Sequence, residues 1–314
     1  MKTGIFKYYQ MVTSYLVLAV KGFCMGSADV IPGVSGGTMA FILGIYEELI
    51  RSIRSFDLKF LRLLFSLKIR EAADYAAWKF LLALGFGILL AIFSLAKILS
   101  WLLQNQPILI WSFFFGLILA SIFTVGKHLN RWRLSMVIWV LLGAVGAYFL
   151  VGMVPVSTPD TAWFLFLCGA IAICAMILPG ISGAFILVLM GKYQYVLEAV
   201  NNRDFITLFL VAAGAAVGLT SFSRLLNWLF EKHHDMTIAL LIGLMLGSLR
   251  KIWPWKETLT LTKETPAQAV ATYQANILPS HWSNEVTVAL GLMMVGLLVV
   301  LFVNAWAEKK GNIK

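Results

Sequence analysis

The motif Pro-Gly-Val-Ser-Gly-Gly at positions 32–37 recurs as Pro-Gly-Ile-Ser-Gly-Ala at positions 179–184, an offset of 147 residues. The flanking residues Gly22, Ala28, Gly44 and Tyr46 recur at the same offset as Gly169, Ala175, Gly191 and Tyr193. Each copy places helix-breaking residues inside an apolar stretch, where water cannot satisfy the freed backbone groups. Paired breaks at equivalent points of two halves predict a transporter-type site near the membrane midplane.

The composition is that of a polytopic membrane protein. The chain has 314 residues, of which 60% are hydrophobic and 13% charged, and its mean hydropathy is +0.86. The net charge of +10 comes from basic residues in loops between apolar runs, so it indicates membrane topology and contact with anionic lipid rather than nucleic acid. The three cysteines have no metal-type spacing and are expected to be small core residues, and no metal or other cofactor is predicted.

The apolar stretches predict about six transmembrane helices by the rule of roughly 20 residues per crossing. These spans are 80–103, 108–125, 134–152, 207–230, 236–249 and 286–307. Two further segments, 11–50 and 162–200, contain the repeated breaks. The fold class expected is therefore an all-α polytopic membrane protein.

A second offset of 127 residues extends the repeat. Small residues recur at this offset, with Gly87, Ala91, Gly116 and Ala120 matching Gly214, Gly218, Gly243 and Gly247. Small residues four apart let membrane helices approach closely, so equivalent packing seams are expected in both halves. The last span of each half aligns poorly. We therefore predict two repeats, residues 1–153 and 154–314, each with a broken segment and three spans.

Loop charge predicts the topology. The basic N-terminus and the basic linker at 51–79 should both be cytoplasmic, so the broken segment between them is expected to be a re-entrant hairpin. Three spans per half invert the second repeat, whose hairpin then enters from outside, and both termini become cytoplasmic. The loop at 250–285 becomes external although it holds four basic residues, which conflicts with the rule. Residues 56–80 read as a basic amphipathic helix at the interface, the alternative being a solvated loop.

The repeated breaks have the chemistry of an anion site. Ser35 and Ser182 are placed to cap helices that begin deep in the membrane, and a helix N-terminus carries about half a positive charge. Such N-termini hold phosphate or carboxylate, and glycine allows close approach of an anionic oxygen. The predicted substrate-binding residues here are Ser35, Gly36, Gly37, Thr38, Ser182, Gly183 and Ala184, and the predicted hinges are Pro32, Gly33, Pro179 and Gly180. The alternative is that both breaks are kinks that help the bundle pack.

Four ionisable residues inside the apolar segments are further candidates, because each costs roughly 2.5–3.5 kcal/mol at mid-span. Lys97 and Arg224 match at the offset of 127 and are expected to flank the anion cavity; the alternative is that both extend to the interface. Asp29 and Lys21 lie before the first break and are candidates for coupling or gating. Asp29 could bind a coupling proton or sodium ion, accept hydrogen bonds at the turn, or pair with Lys21.

The motifs resemble those of a known family. Residues 28–38 (Ala-Asp-Val-Ile-Pro-Gly-Val-Ser-Gly-Gly-Thr), residues 44–46 (Gly-Ile-Tyr) and residues 177–183 (Ile-Leu-Pro-Gly-Ile-Ser-Gly) are similar to those of the PopT-type polyprenyl-phosphate transporter family. The resemblance covers essentially the whole chain. It implies a flippase that returns undecaprenyl phosphate from the outer to the inner leaflet of the bacterial cytoplasmic membrane. The phosphate head would occupy a polar cavity while the isoprenoid tail stays in lipid.

Two other functions remain open at this point. Integral-membrane polyprenyl-diphosphate phosphatases also have inverted re-entrant hairpins with a Pro-Gly-x-Ser core, but there an arginine follows the motif serine and a Glu-rich segment serves catalysis. Gly36 and Gly183 occupy that position here, and the apolar segments hold no Glu cluster or His to activate a nucleophile. The sequence therefore predicts a transporter and not an enzyme. A small-anion transporter fits the same cavity chemistry.

Overall fold

The computed structural model describes residues 2–29, 35–127, 129, 132–261 and 271–311. The predicted hinge Pro32-Gly33 lies outside this part of the chain. The helices are α1 (Lys2–Asp29), α2 (Gly36–Ile42), α3 (Tyr46–Arg54), α4 (Leu58–Phe65), α5 (Ile69–Tyr75), α6 (Trp78–Asn105), α7 (Pro107–Gly126), α8 (Leu134–Val151), α9 (Ala162–Ile177), α10 (Gly183–Leu189), α11 (Tyr193–Asn201), α12 (Phe205–Ile252) and α13 (Asn284–Gly311). Two antiparallel strands, β1 (Lys256–Leu261) and β2 (Ala271–Asn276), form a hairpin between α12 and α13.

Within the described residues, five helices are long and apolar enough to cross a membrane, namely α6, α7, α8, α12 and α13. The pair α10 and α11, bent by 106°, is a sixth candidate. The chain is thus a multi-pass helical membrane protein, as the apolar stretches predict. The six predicted spans fall into five helices because 207–230 and 236–249 both lie in α12.

Helix α12 is interrupted at His233. Its 48 residues would extend about 72 Å as one straight helix, more than twice the roughly 30 Å of a hydrocarbon core. His233 has non-helical dihedral angles (φ −136°, ψ 47°), which divide α12 into two parts of span length. Gln106, which separates α6 from α7 at the equivalent position, has nearly the same angles (φ −137°, ψ 52°). The gap between the predicted spans 207–230 and 236–249 is therefore a one-residue break within a helix and not a loop.

The two halves pack their first helices in the same way. Helix α1 lies against α6, and a Cβ atom on Gly22 would clash with the carbonyl oxygen of Leu84. Helix α9 lies against α12, and a Cβ atom on Gly169 would clash with the carbonyl oxygen of Val211. The pairs Gly87–Ala19 and Gly214–Phe166 repeat this correspondence. Residues matched by the two sequence offsets therefore make matching contacts, which accounts for the small residues at the seams.

The third span of each half packs on the second span of the other half. Helix α13 lies against α7, where Gly296 meets the carbonyl oxygen of Phe113. Helix α8 lies against the second part of α12, where Gly143 meets the carbonyl oxygen of Leu240. The contact of α13 with α7 thus corresponds to the contact of α8 with the second part of α12. No sequence offset reveals this correspondence, because α8 and α13 have too few residues in common. The main buried core, which includes Ile118 of α7, lies among α2, α3, α7 and α12.

Each broken segment continues as two short helices of matching length. Helices α2 and α10 have seven residues, and α3 and α11 have nine. Gly44 (φ 65°) and Gly191 (φ 64°) adopt the left-handed conformation between them, which glycine reaches at little cost. The N–H of Ile45 bonds to the carbonyl of Ala40, a Schellman-type end that recurs at the equivalent residues of the second half.

Two connecting segments differ from the sequence prediction. The linker at 56–80 holds two short helices, α4 and α5, instead of one amphipathic helix, because Leu67 (φ 56°) turns the chain between them. The loop at 250–285 contains the β1–β2 hairpin, which was not predicted. The cysteines are free; Cys168 is buried, as expected of a core residue, whereas Cys24 and Cys174 are half-buried.

Candidate functional site

The two broken segments meet in the interior of the protein. The Ser35 hydroxyl lies 3.0 Å from the carbonyl oxygen of Met176 and 3.2 Å from that of Leu178, and donates to them. The Thr38 hydroxyl oxygen accepts a hydrogen bond from the N–H of Gly180 at 2.9 Å. These bonds join the start of α2 to the turn after α9. We refer to residues 35–38 as the first tip and residues 178–184 as the second tip.

The end of α9 explains why these bonds form. The chain leaves the helix at Leu178 (φ −67°, ψ 133°), as expected for a residue before proline, and Pro179 has no N–H to donate. The last carbonyl groups of α9 therefore have no partner within the helix. The first half supplies the donors, since Ser35 bonds to two of these carbonyls and Tyr46 bonds to that of Ile177 at 3.2 Å.

The tips are in direct contact, whereas the sequence predicted a cavity between them. Ser35 is 1% exposed and Thr38 is 0% exposed. Gly37 is so close to α9 that a Cβ atom would clash with the carbonyl oxygen of Ile177. A phosphate group could therefore reach these residues only after the tips separate.

The backbone N–H groups of the first tip already have acceptors. Asp29 accepts a hydrogen bond from the N–H of Gly36 at 2.7 Å, and the Ser35 hydroxyl accepts one from the N–H of Gly37 at 3.1 Å. The capping role predicted for Ser35 is thus observed. The Asp29 carboxylate occupies the position predicted for an anion at this helix N-terminus.

Lys21 does not pair with Asp29. Its ammonium group donates to the carbonyl oxygen of Leu43 at 2.8 Å, at the C-terminal end of α2. A cation at a helix C-terminus is favourable because the last carbonyl groups are unpaired and carry partial negative charge. Of the three arrangements considered for Asp29, the structure therefore has the hydrogen bond at the turn.

The second tip lacks a carboxylate. Met176 stands where the first half has Asp29, and Ser182 makes no side-chain capping bond, in contrast to Ser35. Gly183 is buried, and a Cβ atom there would lie 2.5 Å from the carbonyl oxygen of Ala172. Ala184 is exposed. The two tips are thus alike in backbone but different in charge.

Gly180 and its neighbour on α12 define the turn of the second tip. Gly180 has φ 90°, a conformation that favours glycine, which accounts for glycine at this predicted hinge. A Cβ atom on Gly180 would lie 2.8 Å from the hydroxyl oxygen of Ser248. The second tip therefore rests against the last turns of α12.

Lys97 and Arg224 are exposed, and no hydrogen bond or ion pair links either of them to the tips in the described part of the chain. Arg224 lies near Asp57, which caps α4. Burial acts to raise the pKa of Asp57, but hydrogen bonds from Phe60, Tyr75 and Lys59 and the charge of Arg224 together hold this pKa below its usual value. The predicted role of Lys97 and Arg224 beside an anion remains a prediction.

Several charged residues that sequence reasoning passed over are prominent in the structure. Lys192 is buried, with 3% of its side chain exposed, and it pairs with Asp160 and donates to the carbonyl oxygen of Thr158 at 2.7 Å. In the sequence, the position of Lys192 directly after Gly191 is the feature that could have drawn attention to it. On the other side, α3 meets the break in α12 through an ion pair of 3.2 Å between Arg54 and Glu231 and a contact of 3.2 Å between the Glu47 carboxylate and Nε2 of His234. The described residues contain no group of three His, Cys, Asp or Glu that could hold a metal ion.

Comparison with known proteins gives concordant results. The model of the undecaprenyl phosphate translocase-like family matches residues 25–270. A polyprenyl-phosphate transporter of Vibrio cholerae is 42% identical over 302 residues, covering 94% of this chain and 98% of the relative. A polyprenyl-phosphate transporter of Staphylococcus aureus is 31% identical over 253 residues, covering 75% and 85%. No solved structure matches. These matches confirm the resemblance drawn from the repeated motifs, and the chain belongs to the undecaprenyl phosphate translocase-like family.

Proposed function

We propose that this protein is a flippase that returns undecaprenyl phosphate from the outer to the inner leaflet of the bacterial cytoplasmic membrane. The names of the two relatives support a polyprenyl phosphate as the substrate. The observation that carries the site is the direct bonding of Ser35 and Thr38 to residues 176–180, because two broken helices from different halves converge on one point.

The proposed topology has two re-entrant hairpins in inverted repeats. Gly22 meets Leu84 and Gly26 meets Ile88, so contacts advance together along α1 and α6 and the helices run parallel. Both helices then start on one side, and the segment between them must return to that side. Helices α9 and α12 run parallel by the same reasoning. With the basic linker inside, both termini are cytoplasmic and the β-hairpin is external.

In the proposed mechanism, the phosphate binds between the tips when they separate, and the isoprenoid tail stays in the lipid. The hydroxyl groups of Ser35, Thr38 and Ser182 then donate to the phosphate. In the present structure the Ser35 hydroxyl donates to carbonyl groups of the second tip region, the Thr38 hydroxyl accepts from the N–H of Gly180, and the Ser182 hydroxyl caps no helix. The other proposed donors to the phosphate are the backbone N–H groups of Gly36, Gly37, Gly183 and Ala184. Movement about Pro32-Gly33 and Pro179-Gly180 opens the tips, with Lys97 and Arg224 on their flanks.

Asp29 is the residue through which phosphate binding is proposed to be coupled to an ion. A phosphate and an ionised Asp29 would compete for the N–H of Gly36, since two anions close together repel strongly in a medium of low dielectric constant. Loading of the phosphate therefore requires Asp29 to move away or to take up a proton or a sodium ion. Lys21, bonded to the end of α2, would follow any movement of that helix and is proposed to act in gating.

Transport into proteoliposomes tests this function. We expect purified protein to flip a fluorescent polyprenyl phosphate, and we expect Ser35→Ala, Ser182→Ala and Arg224→Ala to reduce the rate. Ser94→Ala is the matched control, because Ser94 is an exposed hydroxyl that bonds only to its own helix. Release of inorganic phosphate from the diphosphate lipid would instead favour the phosphatase. Uptake of free phosphate without lipid flipping would favour a small-anion transporter.

A further inference from the structure

Two lysines, Lys251 near the end of α12 and Lys256 at the start of β1, lie near each other. The Lys251 ammonium group lies 4.6 Å from the ring centre of Phe185, two residues beyond Gly183 on α10. The Lys256 ammonium group lies 4.6 Å from the ring centre of Trp111 on α7 and donates to the carbonyl oxygen of Lys251. Both lysines are half-buried. Aromatic faces and a carbonyl oxygen thus hold two cations near each other.

Neither ammonium group has a carboxylate partner among the described residues. Burial and the charge of Lys251 lower the pKa of Lys256 to about 8. The other elements around Lys256 contribute the uncharged Trp111 from α7 and Asn276, its partner on β2. Glu257 follows Lys256 on β1 and is exposed. Two like charges in a half-buried place, with no counter-ion in the described part of the chain, are unfavourable, so the arrangement suits an anionic ligand.

The position of the pair connects the β-hairpin to the second tip. Ser248 lies one turn before Lys251 on α12, and Gly180 of the second tip packs against its hydroxyl. The Lys251 ammonium also lies over Phe185, two residues beyond Gly183, so an anion held by Lys251 would lie near the second tip. The 250–285 loop is predicted to be external although its basic residues conflict with the positive-inside rule. Their presence there is explained if they face an anion.

The first half has no counterpart of this pair. At the offset of 127 residues, Lys251 corresponds to Thr124 and Lys256 to Leu129. Equivalent contacts of Gly116 and Gly243 support this alignment of α7 with the second part of α12. The pair itself therefore belongs to one half of the chain only, as expected for a site that receives a substrate from one leaflet.

We propose that Lys251 and Lys256 form a binding site for a phosphomonoester head group on the β-hairpin side, where the lipid is captured before it reaches the tips. This inference rests on the proposed function in one respect, namely that the lipid moves from the β-hairpin side to the tips. The binding itself is independent of transport. A lipid head group and free phosphate present the same chemistry, and the experiment separates them.

The test is a binding titration with purified protein in nanodiscs. The probes are a short-chain prenyl phosphate, the prenyl alcohol of equal length and inorganic phosphate. We expect Lys251→Gln and Lys256→Gln each to weaken binding of the prenyl phosphate by about tenfold or more, since charge-assisted hydrogen bonds are lost. Lys251→Arg should retain most of the affinity. Lys232→Gln is the matched control, because Lys232 is an exposed lysine 5.8 Å from the ring centre of Trp228.

The outcomes separate the site from the proposed function. Unchanged affinity in both Lys→Gln variants, with the wild type binding the prenyl phosphate, would reject the site and leave the transport proposal intact. Loss of inorganic phosphate binding in the variants, with no binding of prenyl phosphate by the wild type, would support the site and reject the lipid. Equal binding of the alcohol and the phosphate would overturn the site. The melting temperature of each variant checks that a loss of binding is not a loss of folding.

Discussion

The hydroxyl oxygen of Thr38 accepts a hydrogen bond from the backbone N–H of Gly180 at 2.9 Å, across 142 positions of sequence. Thr38 is fully buried, and Gly180 belongs to the turn that Pro179 imposes on the end of α9. One side chain of the first tip thereby satisfies a backbone donor of the second tip. The bond holds the tips together in the closed arrangement.

Replacement of Thr38 tests this contact. Thr38→Val keeps the shape of the side chain and removes the acceptor, which leaves a buried N–H without a partner. We expect the free energy of unfolding to fall by about 1–3 kcal/mol, measured by thermal unfolding in detergent. Thr38→Ser keeps the hydroxyl and should stay close to the wild type. Equal stability of the two variants would contradict a role for the bond.

The seam between α1 and α6 gives a steric prediction. A Cβ atom on Gly87 would clash with the carbonyl oxygen of Ala19, whereas Gly85 has nothing within 4 Å of such an atom. Gly87→Ala should therefore destabilise the protein by about 1–3 kcal/mol through overpacking. Gly85→Ala should be neutral or stabilising, because alanine favours the helix by roughly 1 kcal/mol. Thermal melting of both variants measures the difference, and a similar melting temperature for the two would reject the close approach of the helices.

The competition between Asp29 and phosphate predicts an affinity change. Asp29→Asn retains an oxygen that accepts from the N–H of Gly36 and removes the negative charge. We expect a prenyl phosphate to bind more tightly to this variant, by about tenfold if one like-charge repulsion of roughly 1.4 kcal/mol is relieved. The transport rate should lose its dependence on the coupling ion. Weaker binding in the variant would show that Asp29 does not compete with the substrate.

The pKa of Lys256 predicts the pH dependence of head-group binding. The Lys256 side chain is fully charged well below its pKa of about 8 and loses its charge as the pH rises through this value. Binding of prenyl phosphate should therefore fall by up to roughly tenfold between pH 7 and pH 9. Lys256→Arg stays charged throughout and should abolish this decline. A decline of the same size in the arginine variant would assign the titration to another group.

The proposed inverted topology predicts the labelling pattern of single cysteines. In a background without Cys24, Cys168 and Cys174, an impermeant maleimide added to intact cells should modify Ser280→Cys, which is exposed beside the β-hairpin. Lys68→Cys, in the exposed linker between α4 and α5, should react only after the membrane is opened. Reaction of Ser280→Cys only in opened cells would reject the external position of the hairpin.

Much of the architecture follows from local sequence patterns. Apolar runs predict the membrane helices, since only a helix can satisfy its own backbone groups in lipid. The two offsets of 147 and 127 residues predict which small residues occupy the seams between helices, because close helix approach excludes larger side chains there. The capping role of Ser35 was also predictable, since an N-cap bond joins residues only two positions apart.

Other features depend on contacts between residues distant in sequence. The sequence by itself determined the membrane class, the repeat and the positions of the breaks, because these depend on hydrophobicity and on the backbone limits of proline and glycine. Only the tertiary structure decided that the tips close on each other, that Asp29 occupies the N-terminus of α2 and that Lys251 and Lys256 stand together. The physical reason is that a hydrogen bond or a charge pair between halves depends on how the helices pack, which no local pattern encodes.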